Sequence, residues 1–413
     1  MTVPHRHPML LIIGSGPPAT RRYLLELTAA HSPLLLIDDV PPTWQRPYIA
    51  DHRIADLTDP LAVTAAADAL AARWPLAGVL TWDENHVMAT ARIAARRALP
   101  GNSPAAVAAA RDKAVGRQRF AAANLPSAEF TWVHTQDAAA AAAGRIGYLA
   151  VLKPAAHAGS VGVVRVDADL PAAWAIAEAG AVHQGSEGQG VLLEEYLHGP
   201  EISVETATYQ CQTTAVAITR KTLGFKPYFM ETGHCITADD PLLATTGPVV
   251  AAAVQSLGIT DGVSHVEMRL TETGPRLIEV NARMGGDLSA ELVQRATGTN
   301  LARAAASIAC GRAPDLRPTE HLSAAVGILY PPADGLVVTR RLQPGNDEQL
   351  AQSQWLCDLG DHVTLTPSSR RPNNIRTALA VVTGADADSA RQDLDDVLAR
   401  AVLEVHTPHT HAA

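Results

Sequence analysis

The sequence predicts a multidomain protein of α/β and α+β class, and three observations carry that expectation. The chain has 413 residues, enough for two or three domains of ordinary size, each with its own core. Over the first quarter of the sequence, short runs of consecutive apolar residues alternate with segments of helical period, the pattern of a doubly wound sheet. Beyond it the texture changes to glycine-rich loops and period-2 strands. The alternation holds to about residue 112, and a third region runs from about 320 to 405.

Met9-Leu-Leu-Ile-Ile13 reads as a buried strand, Gly14-Ser-Gly16-Pro17-Pro18 as a tight turn and residues 20–30 as an amphipathic helix. A second buried strand, 34–37, ends in Asp38-Asp39. The alternation continues with a helix over 61–73, a strand over 78–81 and a helix over 87–98. The spacing of Ala114, Val115 and Phe120 predicts a helix over 111–124, stopped by Asn124-Leu125-Pro126. A strand over 149–152 runs into Lys153, a small-residue loop carries the chain to Gly162, and a strand over 163–166 leaves it. Residues 191–197 form a strand that ends in Gly199-Pro200, and Glu201-Ile-Ser-Val-Glu205 alternates apolar and polar. The last segment holds strands over 324–329 and 378–382 and a final helix over 385–403.

Composition removes several classes of function. The net charge is -9, whereas phosphate backbones of nucleic acids are held by clustered Lys and Arg. With 4% aromatic residues there is little material for base-stacking platforms. No apolar run approaches the roughly 20 residues of a membrane span, and residues 9–13 are too short for a signal-peptide core. Cys211, Cys235, Cys310 and Cys357 lie far apart with no C-x-x-C pair, which points to a reducing, cytoplasmic setting and to no thiolate zinc site. His5, His7, His406, His409 and His411 read as solvated tails.

Gly14-x-Gly16-x-x-Ala19, with Asp38 at the end of the next strand, matches the dinucleotide fingerprint and suggests NAD. A pyrophosphate on such a turn is held by backbone N–H groups at the helix start. Pro17 and Pro18 remove two of those donors, so the turn serves the fold or another small ligand instead.

The most informative stretch is Val263-Ser-His-Val-Glu-Met-Arg-Leu270, a short turn, and Arg276-Leu-Ile-Glu-Val-Asn-Ala-Arg283. Alternation places Val266, Met268 and Leu270 on one face and His265, Glu267 and Arg269 on the other. In the second strand Ile278 and Val280 share the apolar face, opposite Glu279, Asn281 and Arg283. A hairpin centred on Thr273 sets Glu267 directly across from Glu279. Like charges so placed repel and call for a cation, and two carboxylates with the Asn281 amide oxygen are the hard donors that suit Mg²⁺ on substrate phosphates. An exposed hairpin with a solvated polar face explains the alternation but not the Asn281-Ala-Arg-Met-Gly-Gly286 that follows.

Lys153 and the loop through Gly159, Ser160 and Gly162 can fold backbone N–H groups over phosphates, with Lys113 as a second cation; an ordinary hairpin turn accounts for the same residues. The Glu194-Glu-Tyr-Leu197 backbone can pair with an adenine edge and an acid beyond it can accept ribose hydroxyls, or the stretch is a plain hairpin.

Taken in order, Lys113, Lys153 with its glycine loop, Glu194-Glu-Tyr-Leu197, Gly199-x-Glu201, and Glu267 with Glu279-x-Asn281-x-Arg283 resemble the ATP-grasp superfamily over about residues 10–400. The resemblance implies an ATP-grasp fold with an N-terminal Rossmann-like domain (1–112), a glycine-loop lid (113–190), a catalytic core (191–320) and a C-terminal α+β subdomain (321–413). It implies ATP on Lys113, Lys153 and Ser160 (phosphates), Glu194 (adenine amino group), Tyr196 and Leu197 (hinge) and Glu201 (ribose). Two Mg²⁺ ions, or Mn²⁺ in their place, would sit on Glu267, Glu279 and Asn281.

Within that superfamily, Thr219-Arg-Lys-Thr-Leu-Gly-Phe-Lys-Pro-Tyr-Phe-Met-Glu231-Thr-Gly-His234, Ser264-His-x-Glu267 and Arg283-Met-Gly-Gly286 look like the L-amino acid ligases, which join amino acids through an acyl phosphate and are often dimers. The likeness implies that Glu231 and His234, with Gly285 and Gly286, hold the amino acid substrate and that Arg283 stabilises the tetrahedral intermediate. Asp287 stands where some of these ligases carry a bulky residue bounding the second substrate. Competing readings are an ATP-grasp ligase for a purine precursor or another biosynthetic acid, a nicotinamide oxidoreductase, and a nucleotide-binding regulator.

Overall fold

The structure is a computed structural model that describes residues 7–155, 160–167, 169–183, 190–365 and 376–407. The N-terminal sheet is parallel, with β1 (Met9–Ile13), β2 (Leu34–Asp38), β3 (Ile49–Ile54) and β4 (Leu76–Leu80) in the order β3-β2-β1-β4. Every residue of β1 and β2 is buried, which is why both read as unbroken apolar runs. The edge strand β3 escapes sequence prediction because Asp51, His52 and Arg53 break its apolar pattern.

Helix α1 (Pro18–Ala29) starts two residues earlier than its pattern suggests, with Pro17 as N-cap and Pro18 at the first helical position, where no donor is missed. Helices α2 (Pro60–Ala71) and α3 (Val87–Arg96) cover the sheet. The single helix expected over 111–124 is instead two, α4 (Pro104–Arg111) and α5 (Lys113–Ala122). Asp112 breaks them apart in extended conformation and caps α5 by accepting from the Ala114 and Val115 amides. That cap fixes Lys113 at the first turn of α5, where its own amide donates to the Ala155 carbonyl at 2.8 Å.

The next sheet is antiparallel, β5-β8-β6-β7, from β5 (Phe130–Val133), β6 (Ala150–Pro154), β7 (Val164–Val166) and β8 (Val191–Glu195), packed on α6 (Gln136–Ile146) and α7 (Leu170–His183). It has its own small core around Leu152, Val164, Trp174 and Leu193. Strand β8, beyond residue 190, therefore belongs to this sheet.

The largest sheet is eight-stranded and antiparallel. It contains β9 (Glu201–Tyr209), β10 (Gln212–Gly224), β11 (Met230–Thr237), β12 (Gly262–Thr271), β13 (Gly274–Asn281), β14 (Ser323–Leu329), β16 (Leu350–Trp355) and β18 (Ala378–Gly384). Their order is β13-β12-β9-β10-β11-β14-β18-β16, so the sheet runs on past residue 320. Between its strands lie α8 (Leu243–Ser256), α9 (Ser289–Thr297) and α10 (Leu301–Ala309).

A three-stranded sheet, β17-β15-β19, closes the chain with β15 (Gly335–Leu342), β17 (His362–Val363) and β19 (Ala401–His406). The final helix expected over 385–403 stops at Arg400: α11 (Ala387–Arg400) gives way to β19, which pairs with β15. The β-branched Val402 and Val405 favour that strand.

One core joins distant parts of the chain: Leu10, Ile12, Leu34 and Leu36 of the N-terminal sheet pack with Leu292, Leu301 and Ala305 of α9 and α10 and with Val326 and Val381. At that contact Gly78 leaves no room for a side chain, since a Cβ there would lie 2.0 Å from the Ala309 carbonyl oxygen. The N-terminal sheet is thereby seated on the large sheet, with the start of α1 at the mouth of the central cavity. All four cysteines are free. No helix among the described residues is long and apolar enough to cross a membrane.

Candidate active site

A cavity of about 800 Å³ lies where the β5-β8-β6-β7 sheet, the large sheet, the C-terminal strands and the start of α1 meet. Its floor is the polar face of the β12–β13 hairpin. Glu267 pairs with Glu279 and His265 with Asn281, the register that centring on Thr273 predicts. The register slips by one between Glu267 and Met268, a bulge on β13. Leu277, not Ile278, therefore joins Val266, Met268 and Val280 in the core. The expectation that Ile278 shares the apolar face is corrected: it lines the cavity.

Each carboxylate of the pair already has a cation. Lys113 Nζ lies 2.9 Å from Glu279 Oε2, and Asn281 Nδ2 donates to Glu279 Oε1 at 3.0 Å. Lys221 Nζ lies 3.3 Å from Glu267 Oε1, 2.7 Å from Glu231 Oε1 and 3.5 Å from Glu201 Oε1. The repulsion inferred from sequence is thus met by lysines, and the case for a metal rests on the oxygen donors themselves. Burial works against ionisation of Glu267 and Glu279, but Lys221 with His265, and Lys113 in turn, outweigh it and hold both below the usual carboxylate range. Two ionised carboxylates and an amide side chain on one face fit a hard divalent cation such as Mg²⁺.

Sequence reading missed Lys221, whose side chain is 1% exposed. Burial opposes its charge, yet Glu231, Glu267 and Glu201 together raise its pKa well above the ordinary lysine value. A lysine in a strand otherwise of β-propensity, quoted only as part of a longer motif, gives no hint that three acids from other strands converge on it.

Toward the lid, Lys153 Nζ is 2.7 Å from Glu194 Oε2 and Arg117 Nε is 2.7 Å from Glu194 Oε1. Glu194 is thus a buried counter-ion of two cations, which overcome the effect of burial and lower its pKa. Arg117, four residues after Lys113 on α5, is a site residue the motif reading passed over; the shared helix face was its only signal. Tyr196, Leu197 and Ser160 line the cavity, whereas Gly159 lies outside the described residues. The Arg269 guanidinium sits 5.6 Å from the Tyr196 ring centre and 5.5 Å from that of Phe229, and its Nη2 is 2.9 Å from Glu201 Oε2. Glu201 is therefore fixed between Arg269 and Lys221.

In the same cavity, His234 Nε2 is 3.0 Å from Glu231 Oε2, and Asp287 joins them to form a cluster. Tyr330 Oη donates to the Glu231 carbonyl at 2.6 Å, and Arg376 forms an ion pair with Asp287. Arg283 lines the cavity, with Nε 3.0 Å from Glu84 Oε2 in the N-terminal domain, and Glu84 Oε1 also accepts from Arg111 Nε at 3.2 Å. Gly286 lines the cavity as well. Gly285 stands behind it: its amide donates to Glu205 Oε2 at 3.3 Å, and a Cβ there would lie 2.6 Å from His265 Nδ1.

Glu205 is fully buried and hydrogen-bonded to His265 Nδ1, while His265 Nε2 lies 3.4 Å from Glu267. Burial would lower the His265 pKa, but Glu205 and Glu267 outweigh it and raise it to about 9. A histidine raised on folding stabilises fully below its unfolded pKa of about 6.5 and loses that contribution as pH rises through the folded value. In ligand-free protein, denaturant unfolding is expected to show stability falling between pH 6.5 and 9 more steeply in the wild type than in His265→Gln. Parallel pH profiles for the two proteins would refute this.

The N-terminal turn does not have the chemistry of a dinucleotide site. Asp38, the residue that would accept ribose hydroxyls, is 6% exposed and takes hydrogen bonds from the Ser15 hydroxyl and amide. It holds its own turn. His5, His409 and His411 lie outside the described residues.

Residues 146–291 match the sequence model of the ATP-grasp domain, and the chain has the ATP-grasp fold. It superposes on the crystal structure of an L-amino acid ligase from Bacillus licheniformis with a TM-score of 0.81 at 20% identity, covering 97% of this chain and 100% of that one. A biotin carboxylase domain from Hydrogenobacter thermophilus, solved with MgADP, gives a TM-score of 0.73 at 14% identity over 97% of this chain and 91% of that one. In sequence, carnosine synthase 1 of Gallus gallus is 30% identical over 57% of this chain and 27% of its own. The chain spans less than two thirds of the length of each curated relative it matches.

Proposed function

We propose that the protein is an ATP-dependent carboxylate–amine ligase that joins amino acids through an acyl phosphate and releases ADP and phosphate. One observation carries the reading: a single cavity holds Lys113, Lys153 and the Glu267–Glu279 pair together with Glu231, His234 and Arg283, and Lys221 bridges Glu267 to Glu231. The first set suits a nucleotide's phosphates, the second an amino acid. The likeness to a carnosine synthase and to an L-amino acid ligase supports it.

On this reading Tyr196, Leu197 and Ile278 bound the adenine, and Glu201 takes the ribose. Glu194 stations the Lys153 and Arg117 charges toward the phosphates, a role different from contact with the adenine amino group. A carboxylate nearing the γ-phosphate is repelled by it, and Lys113 and Lys153 offset that repulsion while aligning the groups. Two Mg²⁺ ions on Glu267, Glu279 and Asn281 would neutralise phosphate charge during transfer. Glu231 and His234 hold the ammonium end of the first amino acid. When the amine attacks, Arg283 faces the oxyanion. The lid excludes the water that would hydrolyse the acyl phosphate.

The boundary at 112 and a cytoplasmic setting belong to the same proposal, the latter in keeping with four free cysteines, while the boundaries expected at 190 and 320 each cut a sheet, since β8 joins the strands before it and β14 the large sheet. Incubation with ATP, Mg²⁺ and pooled amino acids is expected to yield ADP, phosphate and dipeptides; AMP with pyrophosphate would overturn the acyl-phosphate route. Glu279→Gln is expected to lower Mg²⁺-dependent turnover by about 100-fold or more, the scale of losing part of a metal's transition-state stabilisation. Full activity in that variant would remove Glu279 from the metal site.

A further inference from the structure

The N-terminal glycine turn, left without a dinucleotide, has another use. Its conformation is rigidly set: Gly14 and Gly16 have φ of +71°, the Gly14 amide donates to the Ile37 carbonyl at 2.9 Å, and Gln45 Nε2 and the Trp82 indole donate to the Ser15 hydroxyl and carbonyl at 2.8 and 3.2 Å. A Cβ on Gly16 would lie 2.8 Å from Arg21 Cγ. The bare glycine is the surface on which the Arg21 stem lies.

Arg21 lines the same cavity as Arg283, Gly286 and Asp287. Among the described residues no carboxylate lies within ion-pair distance of it. Asp83, an acid of its own domain that acts on it, accepts from the Asn85 amide at 2.8 Å, and Asp287 is paired with Arg376. Burial, with Arg283 adding to it, pulls the Arg21 pKa below the ordinary arginine value. A part-buried guanidinium on a cavity wall without a counter-ion is matched by a carboxylate in bidentate geometry.

Given the ligase reading, on which this step rests, the charges of the site sort the substrates. The first amino acid presents its carboxylate to the phosphate end and its ammonium to Glu231. The second supplies the amine beside Arg283, and its own carboxylate is left over. We infer that Arg21, seated on the Gly14–Gly16 turn, binds the α-carboxylate of the amine-donating amino acid, so that the product keeps a free carboxyl end.

The test sets acids against amides. Wild-type protein receives ATP, Mg²⁺, pooled common L-amino acids and an equimolar pool of their α-carboxamides, and mass spectrometry reads the ratio of dipeptides to dipeptide amides. Free-acid products are expected to dominate. In Arg21→Ala the ratio should fall at least tenfold while the KM for ATP stays within twofold, and Arg21→Lys should recover part of the ratio. Gly16→Ala, which displaces the Arg21 stem, should reproduce the alanine variant's ratio. An unchanged ratio in Arg21→Ala, or a loss confined to ATP binding, overturns the inference.

A second readout needs no turnover: with ADP present, the acid pool should raise the Tm of the wild type more than the amide pool does, and Arg21→Ala should abolish the difference. Equal shifts from the two pools overturn the inference. An Arg21-dependent shift without any product overturns the ligase reading alone.

Discussion

Lys221→Met is expected to destabilise the protein by about 3–5 kcal/mol, the cost of removing one partner from a buried ionic cluster. Methionine fills the space of the lysine stem but brings no charge, and Glu201, Glu231 and Glu267 then face one another across β9, β11 and β12. Each keeps a partial partner, Arg269, His234 and His265 respectively, so the fold weakens without being lost. The loss has a pH signature. In the wild type Glu231 and Glu267 lie below their ordinary pKa, with Lys221 the leading opponent of burial, so their stabilisation is present at neutral pH and declines as pH falls through the carboxylate range. In the variant the same groups are raised, and they stabilise more as pH falls. Urea unfolding should therefore show a gap between the two proteins that is widest near neutrality and narrows toward pH 4. A constant gap, or none, would mean that Lys221 does not neutralise the cluster.

The second large effect is on catalysis. Arg283→Ala is expected to lower kcat by about 10²–10³-fold, the usual cost of removing one oxyanion donor, with little change in the KM for ATP. Structural collapse is not the explanation to anticipate, because Glu84, the carboxylate that Arg283 contacts, retains Arg111. A Tm near that of the wild type with the loss confined to turnover would fit the role. An equal loss in ATP affinity would place Arg283 at the nucleotide.

The hairpin itself was legible from sequence because alternation and a short turn are local signals, but its turn-end register alone would set Glu267 against Ile278, and it is the one-residue bulge that brings Glu279 opposite Glu267. Lys113 and Lys153 were legible through their place beside a helix start and a glycine loop. Lys221, Arg117 and Glu205 were not, since each is defined by partners on other strands or helices and none alters a local pattern. The bulge that turns Ile278 into the cavity is invisible for the opposite reason: a one-residue slip leaves the apolar count of β13 unchanged. Asp112 shows a third limit, a capping residue inside what reads as one helix. After residue 330 the apolar β18 was legible, whereas β15 and β16 mix polar residues into their pattern, and the pairing of β15 with β19 is set by tertiary packing.

The core shared by the N-terminal sheet and helices α9 and α10 carries a consequence for biosynthesis. Leu10, Ile12, Leu34 and Leu36 leave the ribosome long before Leu292 and Leu301, the side chains that cover them. At about 5–20 residues per second, the nascent chain carries that naked apolar face for many seconds, and the large sheet still lacks β18 when the cover arrives. The N-terminal sheet is thus finished long after it is made, and a chaperone that shields it until α10 emerges would raise the yield of active protein.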